Sequence, residues 1–235
     1  MKFPISIICS ACHTEFSAVG YGEDEFPTGV CPNCHQPTYI IDPLTFSVIS
    51  VRLLLRAKHE IGEADYTVSI VSSAMAIECA ITRLYIKWRT IAHEFKDNLQ
   101  TTDADQEAWE TEYRKKTSPG GFGKAADFVC KYLTGKNYDA FIADFYAAAS
   151  KGELIGAELP ASESEAKVSY VHTELFRRWN RIMHWGKVTF QKEDAEMALT
   201  AAYNAFAALK VIDREKWQAD EKERLDGLTG LLHSV

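Results

Sequence analysis

The stretch DYTVSIVSSAMAIECAITRLYI, residues 65–86, decides the fold class of this chain. Apolar or small residues occupy nearly every position of it, so that no face of a helix built from it is polar. A helix of this composition is expected to be buried. We therefore predict a central helix that runs from about Asp65 to Phe95 and is covered on every side by other helices.

Helical patterns also lie on both sides of this central helix. Asp42 and Pro43 can open a preceding helix, whose apolar residues recur at helical spacing over residues 44–61 before Gly62 ends it. The polar segment 99–122 is predicted to lie outside the core and to contain one short helix. Further helices are predicted over 123–133, over 138–150, from Ser162 to about Trp185, and after Thr189.

The composition is that of a globular protein with an acidic balance. Hydrophobic residues make up 46% of the chain and charged residues 25%, and the formal net charge is −7. An acidic chain has no overall attraction for nucleic acid, so a polyanion would have to meet a local basic patch. We expect neither a signal peptide nor a stretch apolar enough to span a bilayer, because the apolar runs are short or interrupted by polar residues. These expectations predict a cytoplasmic protein without membrane contact.

Four of the six cysteines form two C-x-x-C pairs near the start of the chain. Two thiolates from one pair can hold one edge of a tetrahedral metal site, and the second pair, after 18 intervening residues, can hold the other edge. We predict a small β ribbon over residues 1–41 with a closed, structural Zn²⁺ site. The alternatives are a redox dithiol, a rubredoxin-like iron site, or replacement of one thiolate by His13 or His35. The predicted zinc ligands are Cys9, Cys12, Cys31 and Cys34.

The role of this ribbon is open between a module that only packs on the rest of the chain and one that recognises a partner. The loop between the two cysteine pairs carries acidic residues and lacks a basic cluster, which weakens a role in nucleic-acid binding. A protein partner is the other recognition role. The remaining cysteines, Cys79 and Cys130, stand alone in apolar runs and are predicted to be buried thiols in a reducing compartment.

A basic cluster interrupts the acidic chain at residues 176–187, FRRWNRIMHWGK. At helical spacing Arg177, Arg181 and His184 share one face, and Asn180 lies close to it. Cations also accumulate at helix C-termini without any function, because the helix dipole favours them there. The apolar side of this helix is predicted to consist of Trp179, Ile182, Met183 and Trp185.

The segment RRWNRIMHWG, followed by an Ala-rich helix, resembles the end of a HEPN domain, and the order of helices over residues 44–212 is similar as well. The resemblance implies an α-helical bundle that dimerises and a metal-independent ribonuclease with an R-x(4–6)-H motif, often with Asn directly after the Arg. Trp179 departs from the pattern, since it precedes the Asn where Arg is usual. The implied catalytic residues are Arg178, with five residues between it and His184, together with Asn180 and His184; Arg177, with six residues between, also satisfies the motif, and Arg177 and Arg181 are the implied substrate-binding residues.

Three functions follow from these observations. The first is a HEPN-type endoribonuclease in defence or toxin-like RNA cleavage, in which Glu78 is either an orienting partner for an arginine or only a buried ion-pair residue. The second is a non-catalytic HEPN-like dimeric scaffold or RNA-binding module, and the third is a zinc-ribbon adaptor for another protein. The predicted fold is mainly α, a HEPN-like helical bundle preceded by a small β zinc ribbon. Its predicted divisions are the ribbon at 1–41, the helical domain at 42–212 and a charged helical tail at 213–235.

Overall fold

The structure, a computed structural model, divides into two compact units, Met1–Thr45 and Phe46–Val235. The described residues are mostly helical, which confirms the prediction of a mainly α fold. The residues that the structure describes are 3–8, 15–20, 29–30, 32–35, 37–38, 48–96, 99–118, 120–151, 162–186 and 189–232.

The described part of the first unit contains two antiparallel β-hairpins. Strand β1 (Phe3–Ile8) pairs with β2 (Glu15–Gly20) along their whole length. The short strands β3 (Gly29–Val30) and β4 (Pro37–Thr38) pair with each other. The sequence predicted a loop or hairpin between the cysteine pairs, and β2 and β3 occupy part of that segment.

The second unit is a helical bundle. In chain order its helices are α1 (Val48–Gly62), α2 (Tyr66–Ile91), α3 (Asp103–Thr117), α4 (Gly121–Thr134), α5 (Tyr138–Ser150), α6 (Glu163–Ala166), α7 (Val168–Val171), α8 (Arg177–Trp185) and α9 (Lys192–Leu232). A π-helical segment, Ala92–Lys96, extends α2, and a second one, His172–Phe176, joins α7 to α8.

Helices α1, α2 and α9 form the centre of this bundle. A short turn joins α1 to α2, and the Asp65 carboxylate caps α2 by accepting a hydrogen bond from the Val68 N–H (3.1 Å). Helix α2 packs along α9, and both helices carry small, fully buried side chains, Ala74 and Ala80 on α2 and Ala201 on α9. Small side chains let two helices approach closely, so this contact forms the middle of the core.

One face of α2 is open, which corrects the prediction of a helix covered on every side. Ile77 and Leu84 are fully buried, but Met75 is 44% exposed, and Glu78 and Arg83 are exposed as well. Sequence periodicity did not reveal this face, because small and apolar residues surround the whole helix and leave no polar stripe to mark the exposed side.

The same helix also reaches the composition of a membrane span. The segment Tyr66–Glu94 has a mean hydropathy of 1.3 over its most apolar stretch, so the prediction that no stretch would be long and apolar enough was wrong. Within the bundle, 56% of that stretch is buried. A helix in the core of a bundle can have the same length and mean hydropathy as a membrane-spanning helix.

Helix α3 belongs to the core, whereas its polar sequence predicted a position outside it. Trp109 and Tyr113 are buried, and their rings lie 5.6 Å from His93 and 5.7 Å from Tyr85. The Arg89 guanidinium lies 5.5 Å from the centre of the Trp109 ring. Two large side chains one turn apart are enough to anchor a helix whose other positions are polar.

The long helix predicted before the basic cluster is interrupted in the structure. Lys167 has extended backbone angles (φ −67°, ψ 151°) and separates α6 from α7. The Tyr138 hydroxyl donates to the Ala166 carbonyl (3.1 Å), and the Asp139 carboxylate accepts from the Val168 N–H (2.9 Å). These bonds from the start of α5 replace the helical bonds at the break.

Helix α9 continues without a break through most of the segment that was predicted to be a separate tail. It contains 41 residues and ends at Leu232. Its middle is fastened to α2 by Asp213, whose carboxylate accepts from Lys87 Nζ (2.7 and 2.8 Å) and from Trp88 Nε1 (2.8 Å). Trp217 meets Trp88 edge-on, with ring centres 5.3 Å apart.

Candidate functional site

The basic cluster lies on α8, which sorts its side chains onto different faces. Trp179 and Ile182 pack against the core. The side chains that are exposed on the opposite side stand at spacings of three, four and seven residues, which makes them neighbours on a helix surface. These four residues, named here the α8 polar face, are Arg177, Asn180, Arg181 and His184.

Aromatic contacts hold the first turn of α8 in place. The Phe176 ring stacks on Phe122 at 5.2 Å, and the Trp179 ring meets Phe176 edge-on at 5.8 Å. The helix ends at Gly186, whose φ of 67° lies in the left-handed region that favours glycine. His184 therefore stands in the last turn, where the helix dipole favours a cation.

Arg178 lies away from the α8 polar face and fastens α8 to its neighbours. Its Nη1 donates to the carbonyl and to the carboxylate of Glu174, both at 2.7 Å, and its Nε donates to Asp194 Oδ1 at 3.2 Å. Its Nη2 lies 4.0 Å from the Met197 sulfur, and only 14% of its side chain is exposed. Arg177, which also has the spacing of the motif, is exposed on the same face as His184.

The last turn of α8 exposes two large apolar side chains, contrary to the predicted apolar side. Trp179 and Ile182 pack on the core, but Met183 is 62% and Trp185 is 78% exposed. Met183 and Trp185 follow Ile182, the last residue of α8 that packs against the core. Arg181 stays close to the protein surface, because its guanidinium lies 5.8 Å from the centre of the buried Phe190 ring.

A cavity of about 540 Å³ opens beside the start of α8. Phe176, the residue before Arg177, forms part of its wall. Partial desolvation raises the pKa of Glu78 at this cavity, and burial raises the pKa of Tyr113 to about 12. Sequence reasoning did not find this cavity, because its walls come from four separate helical regions that no spacing pattern connects. Its principal walls are Glu78, Ile81, Tyr113, Arg114, Phe122 and Phe176.

The predicted zinc site lies largely outside the described residues, which do not include Cys9, Cys12 or Cys31. Cys34 is described, lies in a turn and is partly exposed, and His35 after it has a φ of 56°. Strands β3 and β4 pair on either side of this turn, a tight connection that suits a metal-binding knuckle. Among the residues that the structure does describe, none form a group of three or more possible metal ligands.

The two cysteines outside the ribbon differ in burial. Cys130 is fully buried, its sulfur lies 3.5 Å from the Thr134 hydroxyl, and burial raises its pKa to about 11. Cys79 is only partly buried on the open side of α2, and desolvation raises its pKa as well. The prediction of burial therefore holds for Cys130 alone. A raised pKa keeps both thiols protonated, and protonated thiols are poor nucleophiles.

In comparisons with protein-family models, with curated proteins and with solved structures, none matches this chain. The chemistry of the α8 polar face must therefore be read from its own side chains. Histidine titrates near neutral pH and can move a proton at a hydroxyl group. Guanidinium groups bind phosphate oxygens and stabilise negative charge as it develops. The combination suits a phosphodiester ligand.

Proposed function

We propose that this protein is a metal-independent endoribonuclease of HEPN type, which cleaves single-stranded RNA in a defence or toxin-like role. The observation that carries the proposal is the exposure of His184 on the same helix face as Arg177 and Arg181. This cationic face is part of a chain whose net charge is −7. Local positive charge beside a group that can move protons is what RNA cleavage requires.

In the proposed reaction, His184 removes the proton of a ribose 2′-OH. The 2′ oxygen then attacks the adjacent phosphorus, and the bond from phosphorus to the 5′ oxygen breaks. Arg177 and Arg181 neutralise the charge on the phosphate, and Asn180 donates a hydrogen bond to it. A proton passes to the leaving 5′ oxygen, so the products are a 2′,3′-cyclic phosphate and a 5′-hydroxyl.

The sequence left both Arg178 and Arg177 open as the arginine of the motif. We assign this role to Arg177 and regard Arg178 as a positioning residue. The nitrogens of Arg178 are engaged by Glu174, Asp194 and Met197, and a guanidinium held in this way is not available to a phosphate. Arg177 is exposed beside the other members of the α8 polar face.

The proposed active form is a cytoplasmic homodimer whose interface includes residues 163–185. Exposed apolar side chains support this assembly, namely Met183 and Trp185 at the end of α8 and Met75 on the open face of α2. An interface that covers these side chains removes apolar surface from water. Two copies of the α8 polar face would provide one histidine as the base and the other as the acid.

The zinc ribbon is proposed to be an accessory module. Four thiolates would close the coordination sphere of the metal, so the ion would stabilise the fold of residues 1–41 and leave no position for a substrate. The acidic loop between the cysteine pairs favours a protein partner over nucleic acid for this module.

A non-catalytic HEPN-like scaffold or RNA- or protein-binding adaptor is the second candidate. Trp179 stands where the resemblance expects an arginine, and Arg178 is engaged in contacts within the bundle. Both observations reduce the number of cations that are available to a transition state. In the first candidate the α8 polar face cleaves RNA, whereas in the second it carries out no cleavage.

The test is RNA cleavage in the presence of a metal chelator. Wild type should cleave single-stranded RNA and leave DNA intact, because DNA lacks the 2′-OH. His184→Ala should lower the rate by about 10²–10⁴-fold, the usual effect of removing a general acid or base. Arg177→Ala should also lower the rate without a loss of thermal stability.

Two further variants serve as controls in this assay. Arg178→Ala should lower thermal stability and retain most activity well below its melting temperature. Arg56→Ala, which removes an exposed arginine from α1, should change neither property. Wild-type activity no higher than that of His184→Ala would instead favour the scaffold.

A further inference from the structure

The cavity beside α8 has the size and the walls of a ligand pocket. Its volume of about 540 Å³ lies within the range of about 300–1,000 Å³ that is common for small-molecule sites. Phe122 and Phe176, stacked on each other, contribute aromatic surface to the wall, and Tyr113 from α3 adds a third ring. These rings are only 3–8% exposed, so they give the wall a small apolar area against which one face of a flat ligand such as a nucleobase can lie.

The polar side chains of the wall include donors, such as the Arg114 guanidinium, and acceptors, among them two threonine hydroxyl groups and the Glu78 carboxylate. Thr82 donates its hydroxyl proton to the Glu78 carbonyl (2.8 Å), and Thr117 donates to the Tyr113 carbonyl (2.9 Å). Both hydroxyl groups line the cavity, and with their protons engaged they offer it acceptor lone pairs. The Glu78 carboxylate, when it is ionised, is also an acceptor. Glu78 is the acidic residue of the wall, and a ligand that pairs with both of its carboxylate oxygens must present two adjacent N–H donors.

Among nucleobases, guanine fits this pattern best. Its Watson–Crick edge carries two adjacent donors, the ring N1–H and the exocyclic N2 amino group, which match the two oxygens of one carboxylate. Adenine and cytosine place a ring acceptor beside their amino group, and uracil flanks its one N–H with two carbonyl oxygens, so these bases would oppose the carboxylate. Enzymes that read unstacked bases use this edge together with aromatic walls.

The wall of the cavity includes the residue that directly precedes the α8 polar face. Phe176 lines the cavity, and Asn180 and His184 follow it at intervals of four residues. With a rise of 1.5 Å per residue, Asn180 lies about 6 Å and His184 about 12 Å along the helix axis from Phe176. A nucleotide whose base fills the cavity would extend its ribose and phosphate toward this row.

We propose that the cavity lined by Glu78, Tyr113, Phe122 and Phe176 binds the guanine base of single-stranded RNA. If the ribonuclease function proposed above holds, on which this step rests, cleavage occurs on the 3′ side of guanosine. Arg114, whose side chain is 78% exposed and lies 3.4 Å from Glu110, lines the cavity and can bind a flanking phosphate.

The first test is the binding of guanosine 3′-monophosphate to the full chain by calorimetry. Wild type and His184→Ala should bind it at least tenfold more tightly than adenosine 3′-monophosphate. Glu78→Gln should abolish this difference, because the amide NH₂ would face the N–H donors of guanine. Glu63→Gln, at an exposed turn outside the cavity, should bind as wild type does. Equal affinities for the two nucleotides, or unchanged guanosine affinity in Glu78→Gln, would overturn the proposal.

The second test separates this proposal from the ribonuclease proposal. Oligouridine that contains a single guanosine should be cleaved after that guanosine by wild type, and the site preference should disappear in Glu78→Gln. Cleavage without preference, together with equal nucleotide affinities, would leave the ribonuclease standing and refute the guanine site. Selective guanosine binding without cleavage of any RNA would support the guanine site and refute the ribonuclease.

Discussion

Two adjacent arginines of α8 occupy different surroundings because each step along a helix turns the side chain by about 100°. Arg178 points toward α9 and is held by Glu174 and Asp194. Arg177, one position earlier, is exposed on the α8 polar face. Identical side chains therefore divide into one that fixes the helix and one that can meet a ligand.

Asp213 is the charged side chain that is buried among the described residues. It is 2% exposed and pairs with Lys87, whose side chain is 17% exposed. Burial raises the pKa of Asp213, whereas the Lys87 ammonium and the Trp88 N–H act in the opposite direction. The ion pair therefore offsets a desolvation cost, and removal of the Asp213 carboxylate also takes a hydrogen-bond acceptor from Lys87 and from the Trp88 N–H.

Asp213→Ala is expected to lower the free energy of unfolding by about 3 kcal/mol, the lower end of the cost of breaking a buried pair, because Lys87 is partly exposed. Asp144→Ala is the matched control. Asp144 pairs with Lys136 at the same distance of 2.7 Å, but both side chains are more than half exposed, so the change should stay within about 0.5 kcal/mol. Urea unfolding followed by circular dichroism measures both, and equal losses in the two variants would contradict this account.

At the scale of elements, the region before α8 shows how neighbouring helices decide a boundary. Tyr138 and Asp139 at the start of α5 bind the chain around Lys167 and break the helix there. Helix α4 packs against the next element, α7, at Gly123. A Cβ atom at Gly123 would lie 2.8 Å from Val168 Cγ1, closer than two such atoms normally approach.

Gly123→Ala is therefore expected to destabilise the protein, although alanine is the better helix former. Overpacking costs about 1–3 kcal/mol, while the gain in helix propensity is about 1 kcal/mol. Val168→Ala removes the opposing methyl groups, so the double variant should be at least about 1 kcal/mol more stable than the sum of the two single changes predicts. A double-mutant cycle measured by urea unfolding checks this, and additive effects would exclude the contact as the cause.

At the scale of the whole molecule, the two compact units allow metal loss to be tested separately from the helical fold. Cys12→Ser should lose the single predicted zinc ion per chain and unfold residues 1–41, because metal binding supplies much of the folding free energy of a small ribbon. The helical signal should persist. Cys79→Ser, which changes a thiol on α2, should retain the metal. Mass spectrometry of protein purified without chelator provides the measurement, and an absence of zinc in wild type would rule out the site.

The proposed homodimer makes a second prediction at this scale. Light scattering at micromolar concentration should give twice the chain mass of 26.4 kDa. Trp185→Glu should shift the mass toward that of one chain, because a charge would enter the proposed interface. Leu99→Glu is the control, since Leu99 is also exposed, at 55%, but lies away from α8 in the sequence. A monomeric wild type would count against the assembly.

The sequence by itself determined the helical class of this protein and the grouping of its basic residues. Both depend on local spacing, since an apolar run with a helical period predicts a helix, and Arg177, Arg181 and His184 share a face whenever that helix forms. Charge balance likewise depends on composition alone. These features are determined before any two distant parts of the chain meet.

Only the tertiary structure decided which face of α2 stays open, which arginine is engaged, and where α3 packs. Arg178 and Asp194 are separated by 16 residues, and the cavity joins Glu78 to Phe176 across nearly 100 residues, as the numbering shows. Contacts of this kind carry no local period that a sequence pattern could reveal. They arise because burial of apolar surface brings distant helices together, and polar groups then find partners that the chain order does not indicate.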